Sequence, residues 1–201
     1  NKLTNAKSKI APYAFTTVSV IPGMMTYKDA KIQILDIPGL IKGAEEGKGK
    51  GKEVLSVARA ADLLVIITDI DKAGELGKIE SVLEKNAIRV NKRPPEVAIE
   101  KKVSGGIILH TNVKQEINKE TTKDIAREFG FKNAEITIKE KLSIERIIDA
   151  FSANRVYLPA IHVINKSDEL PKLPETNSRA LYISAQKGQN LNKLKELIWE
   201  K

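Results

Sequence analysis

Apolar residues fall in two rhythms along the chain, and the alternation between them predicts a mixed α/β protein. Val18 to Met25 reads as a strand carrying Pro22-Gly23, and Ala30 to Ile37 as a second, with Ile32 and Ile34 on one face. The short polar turn at Lys28-Asp29 between them predicts an antiparallel hairpin. Residues 39–52 hold glycines 39, 43, 47, 49 and 51 among charges, the texture of a loop. Glu53 to Ala61 is helical in character. The unbroken run Leu63-Leu64-Val65-Ile66-Ile67 predicts a strand covered on both faces in a parallel sheet. Glu75 to Asn86 then places Leu76, Ile79 and Leu83 on one face of an amphipathic helix.

The pattern changes at about residue 87. Pro94-Pro95 interrupts it, Val97 and Ile99 alternate, and Gly106 to Leu109 predicts a strand. A short helix over Thr121 to Phe129 and a strand over Ile136 to Ile138 complete a small α+β unit, assigned to 87–142. A helix from Ser143 to Asn154 carries Ile144, Ile147, Ile148 and Phe151 on one face. Parallel-sheet strands resume at Ala160 to Ile164 and Ala180 to Ile183, before a last helix from Asn190 to Trp199. The expected architecture is a doubly wound α/β sheet over 1–86 and 143–201, interrupted by the α+β insertion.

Composition narrows the function classes. The 201 residues include no cysteine, which removes disulfides and thiolate metal sites. The longest apolar run is far short of the roughly 20 residues that span a bilayer, and the N-terminus lacks a signal-peptide core. A cytoplasmic protein without membrane contact is expected. Net charge is +8, and the 87–142 segment holds +4 of it, from twelve Lys and Arg against eight Asp and Glu. That excess suits an RNA contact or an ordinary solvated surface. The loop lysines 42, 48, 50 and 52 read as solvated. His110 and His162 lie in or beside apolar strands and are expected to be core residues.

Three segments follow expected sheet strands, where ligands bind in this fold class. Asp36-Ile37-Pro38-Gly39 offers a carboxylate able to hold Mg²⁺ through water and a glycine amide that a terminal phosphate can approach. Asn165-Lys166-Ser167-Asp168 offers a carboxylate that can accept both N1–H and the 2-amino group of guanine, a fork adenine cannot supply. The Lys166 stem can lie along the base, and Asn165 can tie loops together. In Ser184-Ala185-Gln186-Lys187-Gly188, backbone N–H groups can meet the guanine O6. Asp168 argues against an ATP-binding relative of the same fold, because adenine N1 is an acceptor.

With Tyr13-Ala14-Phe15-Thr16-Thr17, Asp36 to Ala44 and Gly47-Lys48-Gly49-Lys50-Gly51 added, the chain resembles an Obg-type GTPase along its whole length. It is most similar to the developmentally regulated GTP-binding protein (DRG) branch. The resemblance implies a P-loop NTPase-like fold with a ribosomal-protein-S5-like insertion. It implies Mg²⁺ held by Thr17 and Asp36, with Thr16 the alternative to Thr17, and Gly39 on the γ-phosphate. Asn165, Lys166, Asp168, Ser184 and Ala185 would read the guanine of GTP or GDP. No catalytic residue is assigned, since Leu40 stands where many small GTPases carry a water-orienting glutamine. Slow hydrolysis aided by K⁺ or a regulatory protein, in ribosome- or RNA-associated work, is what the resemblance implies.

The sequence departs from the family at two places. The motif G-x-x-x-x-G-K-[ST] does not occur in the 201 residues, and neither does the family's TGS domain. The expectation is a chain that starts just after the phosphate-cradling β–α unit, and that alone binds nucleotide poorly and is inactive. A non-catalytic RNA- or protein-binding scaffold derived from a GTPase is the alternative.

Overall fold

The computed structural model describes residues 2–4, 21–37, 50–171 and 179–201. Thr16, Thr17, Gly39, Leu40 and most of the glycine-rich loop lie outside the described residues. The chain divides into two compact units, residues 1–91 with 158–201, and Lys92–Tyr157.

In the first unit, β1 (Ile21–Tyr27) and β2 (Ala30–Asp36) form the expected antiparallel hairpin, in register from Ile21 opposite Asp36 to Tyr27 opposite Ala30. Its two turn residues, Lys28 and Asp29, both have positive φ, 45° and 64°. That is the primed turn geometry whose twist matches the flanking strands. Gly23 is required by a close approach: a Cβ there would stand 2.8 Å from Thr4 Cγ2. Helix α1 (Lys50–Arg59) buries Val54, Leu55 and Ala58 along one stripe. β3 (Leu64–Asp69) is followed by a 3-10 turn, Ile70–Glu75, and by α2 (Leu76–Lys85), which buries Ile79 and Leu83 as their spacing requires.

β4 (Ile88–Val90) ends beside Asn91, whose side chain exchanges two bonds with Ala160, donating to its carbonyl at 3.1 Å and accepting its N–H at 2.8 Å.

The second unit has its own core. β5 (Val97–Lys101), β6 (Ile107–Thr111) and β7 (Ala134–Ile138) form a sheet with β7 central, antiparallel to β5 and parallel to β6. Strand β7 alternates strictly: Ala134, Ile136 and Ile138 are buried while Glu135 and Thr137 are half-buried on the other face. Between β6 and β7 runs α3 (Lys119–Glu128), capped by Asn118 Oδ1, which accepts the Thr121 N–H at 2.8 Å. Helix α4 (Ile144–Phe151) adds Ile147 and Phe151 to the same cluster as Ile107, Leu109, Ala126, Ile136 and Leu142. The second unit therefore runs to Tyr157 and not to 142. The helix assigned by sequence to the second part of the nucleotide-binding unit seals this smaller core. His110 also departs from expectation. It is exposed on the open face of the sheet, 3.1 Å from Glu135 Oε1.

The chain re-enters the first unit at Leu158, the last residue of β8 (Val156–Leu158), and forms β9 (Ala160–Asn165), β10 (Ala180–Tyr182) and α5 (Leu191–Glu200). β9 is the central strand of a parallel sheet ordered β10-β9-β3, and it is buried on both faces. Val163 and Leu194 are completely enclosed in a core shared with Met25, Ile161, Ile183 and Ile198, against which Ile32 and Ile34 of the hairpin pack. Burying each such side chain contributes about 1.5–3 kcal/mol. β3 does not meet the expectation of cover on both faces, because Ile67 is 49% exposed. His162, half-buried on β9, stands 2.9 Å from Glu80 Oε1 on α2, in a contact without hydrogen-bond alignment. Among the described residues, no helix is long and apolar enough to cross a membrane.

Candidate guanine-reading site

Parallel pairing brings the C-terminal ends of β3, β9 and β10 to one edge of the first unit. In the β3–β9 register, Asp69 is the direct partner of Asn165. The chain leaves β9 through Lys166, whose φ of 61° is the left-handed region that a lysine enters only under local constraint. The constraint is visible. Ser167 N–H donates to the Ile183 carbonyl at 2.9 Å, and Ile183 N–H to Ile164 at 2.8 Å, so the turn is sewn to the end of β10.

Ser184 opens the third segment and is wholly buried. Its backbone exchanges bonds with Gln189 at 3.1 and 3.0 Å, closing a tight loop that Gly188 enters with φ 75°. Its hydroxyl accepts the Lys187 N–H at 3.1 Å. The same hydroxyl donates to Asp168, and that bond, more than the neighbouring Lys187 ammonium, holds the Asp168 carboxyl below the usual range. Lys187 Nζ lies 3.6 Å from Asp168 Oδ2. The Asp168 side chain is only 14% exposed. It is thus an ionised, oriented double acceptor at a partly covered edge.

Asn165 ties the two loops, as its position in the sequence suggests. Its Oδ1 accepts the Ala185 N–H at 3.0 Å, and its Nδ2 donates to Asp69 Oδ1 at 3.3 Å. The Ala185 amide, expected to face O6, is thereby engaged within the protein, and a base carbonyl would have to share it. Asp69 is the residue that sequence reasoning missed. Its Oδ2 stands 2.8 Å from Lys166 Nζ, and this hydrogen bond lowers the Asp69 carboxyl and raises the Lys166 ammonium from their ordinary values. The available signal was a carboxylate closing the apolar run of β3, but its partner is 96 residues away and only strand register supplies it.

The structure therefore brings together Asn165, Lys166, Asp168, Ser184 and Ala185. Asp36 sits exposed at the end of β2, with Thr17 and Gly39 outside the described residues. Among the described residues no group of three or more His, Cys, Asp or Glu could hold a metal. A hard divalent ion suits the oxygen chemistry of Asp36, and a guanine base suits the acceptor fork of Asp168.

Comparison with known families gives two matches. A family model described as a 50S ribosome-binding GTPase matches residues 1–101, and one described as the C-terminal region of the MMR_HSR1 domain matches residues 104–201. The chain is 43% identical, over its whole length and 54% of the relative, to an uncharacterized GTP-binding protein of Methanocaldococcus jannaschii. It is 40% identical to developmentally-regulated GTP-binding protein 1 of Xenopus laevis, with 100% of the chain and 56% of the relative covered. Ribosome-interacting GTPase 1 of Saccharomyces cerevisiae is 39% identical over the same shares. The chain spans about half the length of these relatives.

Proposed function

The chain belongs to the DRG-type GTPase family, and from that premise we propose that it carries the guanine-reading and switch segments of a GTP-driven molecular switch with slow hydrolysis. The observation that carries this reading is Asp168. Its carboxylate is ionised and is oriented by the buried Ser184 hydroxyl, beside a loop closed on Asn165. A base with N1–H and a 2-amino group gains two bonds there, and adenine gains none.

Thr17 and Asp36 would hold Mg²⁺, Asp36 through water, and Gly39 would meet the γ-phosphate. The ion supplies neutralisation of phosphate charge when bound. Leu40 cannot orient an attacking water, which supports slow turnover assisted by K⁺ or a regulatory protein. The Lys92–Tyr157 unit would correspond to an S5-like subdomain. Ribosome or RNA association is supported by the name of the yeast relative and by the basic excess around the unit.

Base exchange tests the reading. Asp168→Asn replaces one acceptor by a donor, so in the full-length protein it should weaken GTP binding and favour xanthosine triphosphate, whose position 2 is an acceptor. Equal GTP affinity in wild type and variant, measured by titration calorimetry, would sink the assignment.

A further inference from the structure

We propose that Asp69 is the positioning residue of this site, holding Lys166 and the Asn165–Ala185 contact in place before a base arrives; the inference rests on the guanine reading above. Each oxygen of Asp69 has its own task. Oδ2 takes the Lys166 ammonium at 2.8 Å, and Oδ1 takes the Asn165 amide nitrogen at 3.3 Å.

The consequence for Asn165 follows from donor and acceptor inventory. A side-chain amide has two ends, and turning it over exchanges an acceptor for two donors. The Ala185 N–H can only donate, so it needs Oδ1, and an ionised carboxylate can only accept, so it needs Nδ2. The two demands agree. With Asp69 in place only one orientation satisfies both neighbours, and the loop that begins at Ala185 is registered against β9. Without that carboxylate the flipped amide no longer forfeits a charged partner, and the loop loses its reference.

The consequence for Lys166 is restriction. Its backbone is already fixed in the left-handed turn and its side chain is 47% exposed, so the ion pair is the contact that selects one direction for a long, rotamer-rich stem. Other charges near the pair are Lys72, Asp71 and Glu169. Acidic Asp71 and Glu169 attract the ammonium without offering Asp69's hydrogen bond, so removal of Asp69 redirects Lys166 toward them.

The pair is partly exposed, with Asp69 35% accessible, and ion pairs in such settings add little to global stability. Positioning and scaffolding can therefore be separated. In the full-length protein, Asp69→Asn and Asp69→Ala should bind GDP about tenfold more weakly by calorimetry, with the thermal midpoint shifted by no more than about 2 °C. In an Asn165→Ala/Lys166→Met background, Asp69→Asn should produce no further loss, because it acts through those two side chains. Unchanged GDP affinity in both Asp69 variants, full additivity in the combined variant, or a midpoint loss large enough to account for the weaker binding would each overturn the proposal. If wild type binds GDP and Asp168→Asn switches to xanthosine nucleotide while the Asp69 variants bind normally, positioning alone fails. If Asp168→Asn leaves base choice unaltered, the guanine reading fails, and this inference with it.

Discussion

Asp168 illustrates how much a single side chain depends on its surroundings. Alone, a carboxylate two residues beyond Lys166 is one of many acidic loop residues. Below the Ser184 hydroxyl, with 14% of its side chain exposed, it is held ionised and turned. Exchanging its carboxylate for an amide leaves a donor against a donor on the base, a mismatch worth about 1–3 kcal/mol. The expected loss of GTP affinity for Asp168→Asn is therefore about tenfold to a hundredfold. Asn165, Lys166, Asp168, Ser184 and Ala185 could be proposed together from the sequence because they lie in two short segments. Asp69 could not, since nothing near it in sequence indicates which strand lies beside β3. Ala185 was legible as a backbone donor, but its present engagement with Asn165 is set by a side-chain orientation that sequence does not encode locally.

At the scale of elements, the hairpin and the parallel strands followed from periodicity, because two-residue alternation and unbroken apolar runs depend on nearby residues alone. The assignment of α4 did not. An amphipathic helix advertises a buried face without saying whose core will cover it, and Phe151 meets Phe131 at a centroid distance of 5.7 Å within the second unit. Phe151→Ala should cost about 3–5 kcal/mol, read as a lower midpoint in urea monitored on that unit. Glu140 joins the same unit together electrostatically. Its Oε1 accepts the Glu96 N–H and Arg146 Nη2, both at 3.0 Å, and Oε2 meets Arg93 at 3.2 Å. The Glu96 backbone bond, first, and then the two guanidinium groups hold its carboxyl below the ordinary value. A depressed carboxylate contributes stability that is fully present above its unfolded value, near 4.5, and is lost as pH falls through the folded one. The thermal midpoint of the unit should be flat above about pH 5 and fall below it. Glu140→Gln should lower the neutral midpoint by a few degrees and shrink the acid-side fall; an acid limb identical to wild type would show that Glu140 is not its source.

At the scale of the whole molecule, the distribution of chemistry along the 201 residues decides what a polypeptide of this length can bind. Asn165, Lys166, Asp168, Ser184 and Ala185 converge with Asp69 at one edge, the edge proposed to read the base. The motif G-x-x-x-x-G-K-[ST] does not occur in these residues. In this chemistry, backbone amides and a lysine cradle the phosphates and supply binding that a base edge alone does not. Selectivity and affinity should then separate. The 201-residue polypeptide should bind GDP with a dissociation constant of about 100 µM or weaker, and a natural protein that supplies the motif should bind far more tightly. Its weak binding should still prefer guanine to adenine, and Asp168→Asn should abolish that preference by weakening GDP to the level of ADP. Equilibrium titration with GDP and ADP on the same polypeptide decides between the outcomes. A low-micromolar constant for GDP would place phosphate recognition within these residues, in the glycine-rich segment after Gly39. Equal weak binding of GDP and ADP would mean that the carboxylate edge does not read the base.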